Sequence, residues 1–351
     1  MACKRVTMKD IADSLGVSVN TVSRALANKP DTSEQMREKV HLLAKELGYI
    51  PNSLARSLVS GSSSTIGMVI TNPSNPLYST MITGATTTAH ESGLSVVLAI
   101  SGEDEATERR AIESLIQSAV DGVVGVPVQT ASDHWKRLPE LGIPLTFVNR
   151  HLEHLGFQTD FVGCDHQSGA AASIDHVLSC EASTIWALEE DLDNSTVRGR
   201  MRAYELAALP SEELQILRVP SRRHEALIMT WEGEEAYTLM TENLAGAVTV
   251  PDAIVCANDY FALGAIRALA DRGLRVPEDV LVVGTGDHPY AGFTSPPLTS
   301  VALPGQELGS LAVEMVTNRK ANPDAPFRHT VLETDLVVRE SSSRPKSAGS
   351  S

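Results

Sequence analysis

From Thr65 onward the chain alternates short apolar runs with amphipathic stretches of helical period, and this alternation limits the folds open to it more than any other feature. TIGMVI, LSVVLAI, DGVVGVPV and IPLTFVN read as buried strands, with helices expected over Leu77 to Ser92, Glu105 to Ala119 and His134 to Leu141. A second series follows. DFVGCD, STIWALEE, AIVCAND and VLVVGTGD read as strands, with helices around Ser168 to Leu178, Val197 to Leu209, Glu234 to Glu242 and Tyr260 to Arg272. Strands that are apolar on both faces and separated by helices form parallel sheets covered on both sides. Two such series predict an α/β body of two lobes, with a ligand cleft where the carboxyl ends of the strands meet.

A different pattern precedes the body. Residues 7 to 26, TMKDIADSLGVSVNTVSRAL, read as two short helices broken at Gly16-Val17-Ser18, a helix-turn-helix. Ile11, Ala12 and Leu15 face Val22, Ala25 and Leu26, and a third helix capped by Ser33 offers Met36, Val40, Leu43 and Leu47. Asn20, Ser23, Arg24 and Ala27 fall on the outward face of the second helix. Arg reads G and Asn reads A in the major groove, while hydroxyls such as those of Thr7, Ser18, Thr21 and Ser23 suit phosphate oxygens. After Gly48, YIPNSLARSLVSGSSST holds a short helix-capable stretch and then a Gly/Ser linker. The domains expected are a headpiece at 1–50, a hinge and linker at 51–64, a body at 65–340 and a disordered tail at 341–351.

Charge divides along the same boundary. The net charge is -15, yet residues 1–60 hold 9 Lys and Arg against 6 Asp and Glu, leaving 20 against 38 for the rest. A positive head on an acidic body keeps DNA contact at the head. No apolar run is long enough to span a bilayer, and MACKRVTMKD lacks the apolar core of a signal peptide. Cys3, Cys164, Cys180 and Cys256 lack metal-type spacing and read as reduced thiols of a cytoplasmic protein, with neither metal nor cofactor expected.

The chain resembles the LacI/GalR family of bacterial transcription regulators in VTMKDIADSLGVSVNTVSRAL, REKV, LGYIPNSLARSL, TIGMVI, NP, VDG, AND, ALGAIRAL, GLRVPEDV and PPLTSV, which run in the family's order through nearly the whole chain. The resemblance implies an all-α headpiece followed by a periplasmic-binding-protein-like body. Its lobes would be crossed by three connections, lobe 1 taking about 65–162 and 290–322 and lobe 2 about 163–289 and 323–340. It implies that Val19, Asn20 and Arg24 face bases, and that Ala55 and Leu58 belong to a hinge helix that folds on operator DNA, with Leu58 wedged into the minor groove. At strand ends, Asn149, Arg150, Asp259 and Asp287 are candidate effector ligands, Tyr78 and Trp231 candidate aromatic covers, and Arg200 matches an effector-contacting arginine. The acidic run Glu189-Glu190-Asp191-Leu192-Asp193, where the family often has Gly and Pro, and His288 after Asp287 depart from the pattern.

The function expected is a homodimeric repressor of a palindromic operator, controlled by a sugar-like or nucleoside-like effector. Alternatives are a solute-binding or sensor protein, and a corepressor-dependent or activating regulator. An enzyme is disfavoured. GTGDHPYAG places Pro289 where a dinucleotide-binding loop needs its third glycine, His151 and His154 lack partner ligands, and no nucleophile elbow occurs.

Overall fold

The computed structural model describes residues 6–26, 28–49, 62–128, 133–152, 156–207, 209–210, 213–220, 232–247 and 249–344. It divides into two compact units, residues 1–63 and 64–351.

In the first unit, α1 (Met8–Leu15), α2 (Val19–Leu26) and α3 (Glu34–Glu46) enclose a small core of Ile11, Ala12, Val22, Ala25, Val40 and Ala44. Thr7 starts α1 through a capping box closed by Asp10: the Thr7 backbone N–H donates to Asp10 Oδ2 at 2.8 Å. Gly16, at φ 64°, ends α1 in the left-handed region. Ser18 then caps α2, its Oγ accepting from the Thr21 N–H at 3.1 Å. Met36 and Leu43 pack where expected, but Leu47 does not. It follows the last turn of α3 and stands exposed, and Ala44 and Tyr49 fill the seam instead.

The second unit holds two six-stranded sheets. The first runs β11-β5-β4-β3-β1-β2 and is parallel throughout, built from β1 (Thr65–Ile70), β2 (Ser95–Ile100), β3 (Gly122–Gly125), β4 (Leu145–Val148), β5 (Asp160–Cys164) and β11 (His329–Leu332). The second runs β12-β10-β9-β8-β6-β7, from β6 (Ile185–Glu190), β7 (Leu214–Val219), β8 (Ala253–Cys256), β9 (Leu281–Gly286), β10 (Thr299–Ala302) and β12 (Asp335–Val337). Its edge strand β12 is antiparallel to β10. α4 (Pro76–Glu91), α5 (Glu105–Gln117), α6 (Asp133–Glu140) and α11 (Gly305–Ala321) belong to lobe 1. Lobe 2 carries α7 (His166–Ser179), α8 (Ser195–Leu206), α9 (Glu232–Gly246) and α10 (Asp259–Asp271).

The expected boundaries need correction, at the tail as well as between the lobes: Ser341 and Ser342 are wholly buried, with Ser341 Oγ donating to Val282 O at 2.6 Å, so the body runs past 340. β5 pairs with β4, so Gly163 and Cys164 stay in lobe 1. The segment 290–302 stays in lobe 2, because β10 pairs with β9, and residues 329–332 lie in lobe 1 beside β5. The chain therefore crosses near 165, 303 and 333. The sequence reading places no strand at β10 or β11, and their pairing partners decide their lobe.

Helices α4 and α11 cross at the closest approach in lobe 1. A Cβ at Gly84 would strike the Gln306 carbonyl, and one at Gly309 the Met81 carbonyl, so backbones occupy the space a side chain needs. Gly309→Ala should therefore cost about 1–3 kcal/mol through overpacking. The check is a lowered Tm for the full chain, and an unchanged Tm would mean that the helices can separate without loss.

Candidate functional site

The outward side of α2 presents Val19, Asn20, Ser23 and Arg24 to solvent, opposite the buried Val22 and Ala25. Arg24 is paired with Asp31 of the following loop. Thr7, Ser18 and Thr21 spend hydroxyls on local structure. Thr7 Oγ donates to Asp10 at 2.7 Å, and the Ser18 and Thr21 hydroxyls lie 2.9 Å apart. Ala27, Ala55 and Leu58 lie outside the described residues.

In the second unit a narrow cleft opens between the lobes. Tyr78 and Asn75 come to it from the start of α4, Asn149 and Arg150 from the end of β4, and Leu303 from the crossing after β10. Lobe 2 supplies His166 at the start of α7, Glu190 at the end of β6 and Thr196 and Arg200 from α8. The turns after β8 and β9 add Ala257, Asn258, Gly286 and His288. Four of the residues expected from sequence, Tyr78, Asn149, Arg150 and Arg200, are thus brought together.

Backbone geometry aims them. Asn149 takes φ 63°, a left-handed conformation that asparagine tolerates, which turns the chain out of β4 while its N–H still donates to Val162 O at 2.8 Å. Its Oδ1 lies 3.0 Å from His166 Nε2, a hydrogen bond between the lobes. A second interlobe bond runs from the His151 N–H to Ser195 Oγ at 3.1 Å.

Both arginines are buried and already paired. Arg150 Nη1 donates to the two oxygens of Glu103 at 2.7 and 2.9 Å. Arg200 donates from Nε to Glu189 at 2.9 and 3.1 Å and from Nη2 at 2.6 Å, and reaches Glu190 at 3.3 Å. Burial, the largest single effect, pushes each guanidinium down, but the acidic neighbours together, Glu103 first for Arg150 and Glu189 first for Arg200, hold both above their usual values. Glu189 and Glu190 stand at the end of β6, as the strand reading of STIWALEE has them, and Glu189 is wholly buried because Arg200 neutralises it. His166 is pushed down to about 3 by burial, with Arg200 and Arg150 adding to the effect, and His288 to about 4 by burial. Tyr78 is raised by burial.

Asp259 and Asp287 do not line the cleft. Asp259 begins α10 and is buried, accepting from Ser300 Oγ at 2.6 Å and from the His288 N–H at 3.1 Å. Burial raises it to about 6. Asp287 pairs with Arg339 Nη1 at 2.6 Å, and its N–H donates to Ser300 Oγ at 2.9 Å. Together they fasten the turn that carries His288 to the crossing strand β10. A strand-end position alone does not say which of two neighbouring side chains faces the ligand. Gly286 lines the cleft in their place, with φ 129° and the His288 ring 2.5 Å from where its Cβ would be. Trp231 lies outside the described residues. Sequence reasoning passed over His166, which looked like an ordinary helix start after Asp165, and Glu103, whose partner Arg150 is remote in the chain. Among the described residues no cluster of His, Cys, Asp or Glu could hold a metal, and no helix is long and apolar enough to cross a membrane.

The buried imidazole gives a pH dependence with a fixed sign. Unfolded histidine titrates near ~6.5, so between that pH and about 3 the unfolded chain takes up a proton that folded His166 refuses. The stability associated with neutral His166 is therefore present above pH 6.5 and lost on acidification, whereas Asp259 acts in the opposite sense between about 4 and 6. His166→Gln should flatten the fall in Tm between pH 6.5 and 4 relative to the parent chain. Identical slopes in the two proteins would remove His166 as its source.

Comparison with known proteins agrees with this arrangement. Residues 7–52 match the model of bacterial regulatory proteins of the lacI family, and residues 174–342 match a periplasmic binding protein-like domain. The chain is 30% identical over 338 residues to the ribose operon repressor of Escherichia coli K12, covering 95% of this chain and 99% of that one. It is 28% identical over 339 residues to the HTH-type transcriptional repressor PurR of Haemophilus influenzae strain PittEE, covering 95% and 98%. The lac repressor dimer bound to operator and the anti-inducer ONPF is similar in structure, with a TM-score of 0.81 at 25% identity over 97% of this chain and 99% of that one. With both its headpiece and its two-lobed body accounted for along nearly the full length, the chain belongs to the lacI family of bacterial regulatory proteins and is a DNA-binding transcriptional regulator.

Proposed function

We propose that this protein is a cytoplasmic repressor that binds a palindromic operator as a homodimer and answers to a small sugar-like or nucleoside-like effector in the interlobe cleft. The observation that carries the reading is the exposed face of α2, where Asn20, Ser23 and Arg24 stand together on a helix whose other side is core. Val19, Asn20 and Arg24 read bases, and Thr7, Ser18, Thr21 and Ser23 meet phosphates through whatever donor capacity their caps leave. Asp31 holds the Arg24 guanidinium until DNA takes it over. Ala55 and Leu58 supply the hinge and its wedge, and Trp231 an aromatic cover over the ligand.

In the cleft, Tyr78, Asn149, Arg150 and Arg200 bind the effector together with His166. Asp259 and Asp287 act behind them by holding the His288 turn. Effector entry breaks the Asn149 to His166 bond, and a ligand that favours one degree of lobe closure shifts the DNA-binding equilibrium by its differential affinity. Support for the dimer comes from apolar side chains left at the surface: Val97 and Leu98 on the open edge strand β2, and Phe293, which is 91% exposed. The chemistry is binding, not catalysis.

Selection from random duplex DNA at moderate salt tests this first, with an enriched palindrome as the expected result and an enriched half-site without symmetry as the result against a dimer. Arg24→Ala should weaken the selected site by about 10- to 100-fold while leaving effector binding in place. Asn149→Ala should keep operator affinity and lose the response to effector in a gel-shift assay. A full response in that variant would take Asn149 out of the coupling.

A further inference from the structure

VDG, one of the segments that carry the family resemblance, serves neither the cleft nor the headpiece. Val120 is core, and Gly122 opens β3 at a point where a Cβ would strike Val316 of α11. That close approach sets the last turn of α11 against the start of β3, and Lys320, one turn beyond Val316, reaches Asp121. Its Nζ lies 2.8 Å from Asp121 Oδ1, on a buried carboxylate. The other oxygen of Asp121 holds the entry to the body: Oδ2 accepts from the Ser64 N–H at 2.9 Å, and the Asp121 N–H donates to Thr65 O at 2.7 Å. Ser64 takes φ 54°, a left-handed conformation that a serine keeps only where its surroundings hold it. Both of its peptide groups are held, since its carbonyl accepts from the Ser95 N–H at 2.9 Å. Ser64 is the first residue of the second unit, and the chain from the headpiece enters there. Lys320 in turn rides on α11, which is locked to α4 by the two glycine contacts.

Lobe 2 provides a comparison within the same chain. Asp252 stands before β8 as Asp121 stands before β3, and its Oδ2 accepts from the Ser183 and Thr184 N–H groups at 2.9 Å. Its own N–H donates to Thr184 O at 2.9 Å. Both carboxylates thus fasten the start of a neighbouring strand, β1 for Asp121 and β6 for Asp252. They differ in what lies behind that strand. β6 is entered by a short turn from α7, whereas β1 is entered by the chain from a separate unit. Of the two, only Asp121 is joined by a cation among the described residues.

We propose that Asp121, backed by Lys320, is a positioning residue for DNA binding: it fixes the point and direction at which the linker leaves the body, and with them the half-site spacing that the protein accepts. The inference rests on the reading of the protein as a dimer on a palindrome. Two headpieces on one operator are tethered, so the second binds at an effective concentration set by the length and freedom of its tether. Releasing Ser64 lengthens the tether and removes its direction. That lowers the effective concentration at the right spacing and raises it at wrong ones.

The test is a gel-shift titration of the full chain on the palindrome enriched by selection, and on versions whose centre is lengthened or shortened by one or two base pairs. The parent chain should bind the altered spacings about tenfold more weakly or worse. Asp121→Ala should bind the selected palindrome about three- to tenfold more weakly and discriminate among spacings less by a similar factor. Asp252→Ala releases the equivalent strand entry in lobe 2 and should keep the parent's spacing preference. A merely structural loss lowers Tm in both variants and relaxes the preference in neither. An unchanged preference in folded Asp121→Ala therefore overturns the inference, as does an equal relaxation in Asp252→Ala or a parent chain indifferent to spacing. If circular dichroism shows Asp121→Ala unfolded, Lys320→Met, at a partly exposed position, carries the test: a preference relaxed by about threefold supports the inference and an unchanged one overturns it. A selection that yields no palindrome overturns the dimer reading, and the inference with it.

Discussion

A parallel strand cannot be followed directly by its neighbour; the chain must travel back along one face of the sheet before it pairs again. In this protein that requirement arranges nearly everything else. Helices are laid on both faces of each sheet, the central strands become apolar on both sides, and within each sheet the carboxyl ends point the same way except at the antiparallel edge strand β12. The turns that cannot be buried in the sheet, after β4, β6, β8 and β9, are gathered at one place, and the cleft is made of them. Lobe 1 has the same constraint in its tightest form at the crossing of α4 and α11, where two glycines let backbones meet.

Gathering strand ends also gathers charge. Arg150 and Arg200 sit 4% and 5% exposed, which is tolerable only because each is hydrogen-bonded to a carboxylate. The pairs are intramolecular, so each buried charge finds its counterion within the chain. Bridging it, Asn149 and His166 hold the lobes together through a contact that a ligand can replace. A site of this kind is a natural two-state element: closed on itself, or opened and closed again on something else. Asp259 and Asp287 lie behind it, tying the His288 turn to β10 and to Arg339, at the point where the chain is about to cross.

The headpiece follows a different economy. Its core is six small side chains and a partly buried rim, so caps carry a larger share of its order than they do in the body. Thr7 with Asp10, and Ser18 with Thr21, close the ends of α1 and α2 with the same hydroxyls that suit phosphate contact. The positive excess of residues 1–60 against a strongly acidic remainder separates the DNA-facing part from the rest electrostatically.

By itself the sequence determined what depends on local period and local chemistry. The two short helices within 7–26, the helix read over 77–92, the strands TIGMVI and AIVC, the Ser33 cap and the exposed face of α2 follow from residue spacing that no distant contact overrides. Strand ends were also legible, which is why Asn149 and Arg150 could be picked out, while Arg200, inside a helix, is found only through the family resemblance. Tertiary structure decided which neighbour at a strand end faces the cleft, because a single turn such as Gly286-Asp287-His288 points consecutive residues in opposite directions. It decided the lobe of 290–302 and of 329–332, since a four-residue strand belongs wherever its partner lies. And it made Glu189, at the end of a strand, the buried partner of Arg200, a role set by a contact that forms only once β6 and α8 have packed.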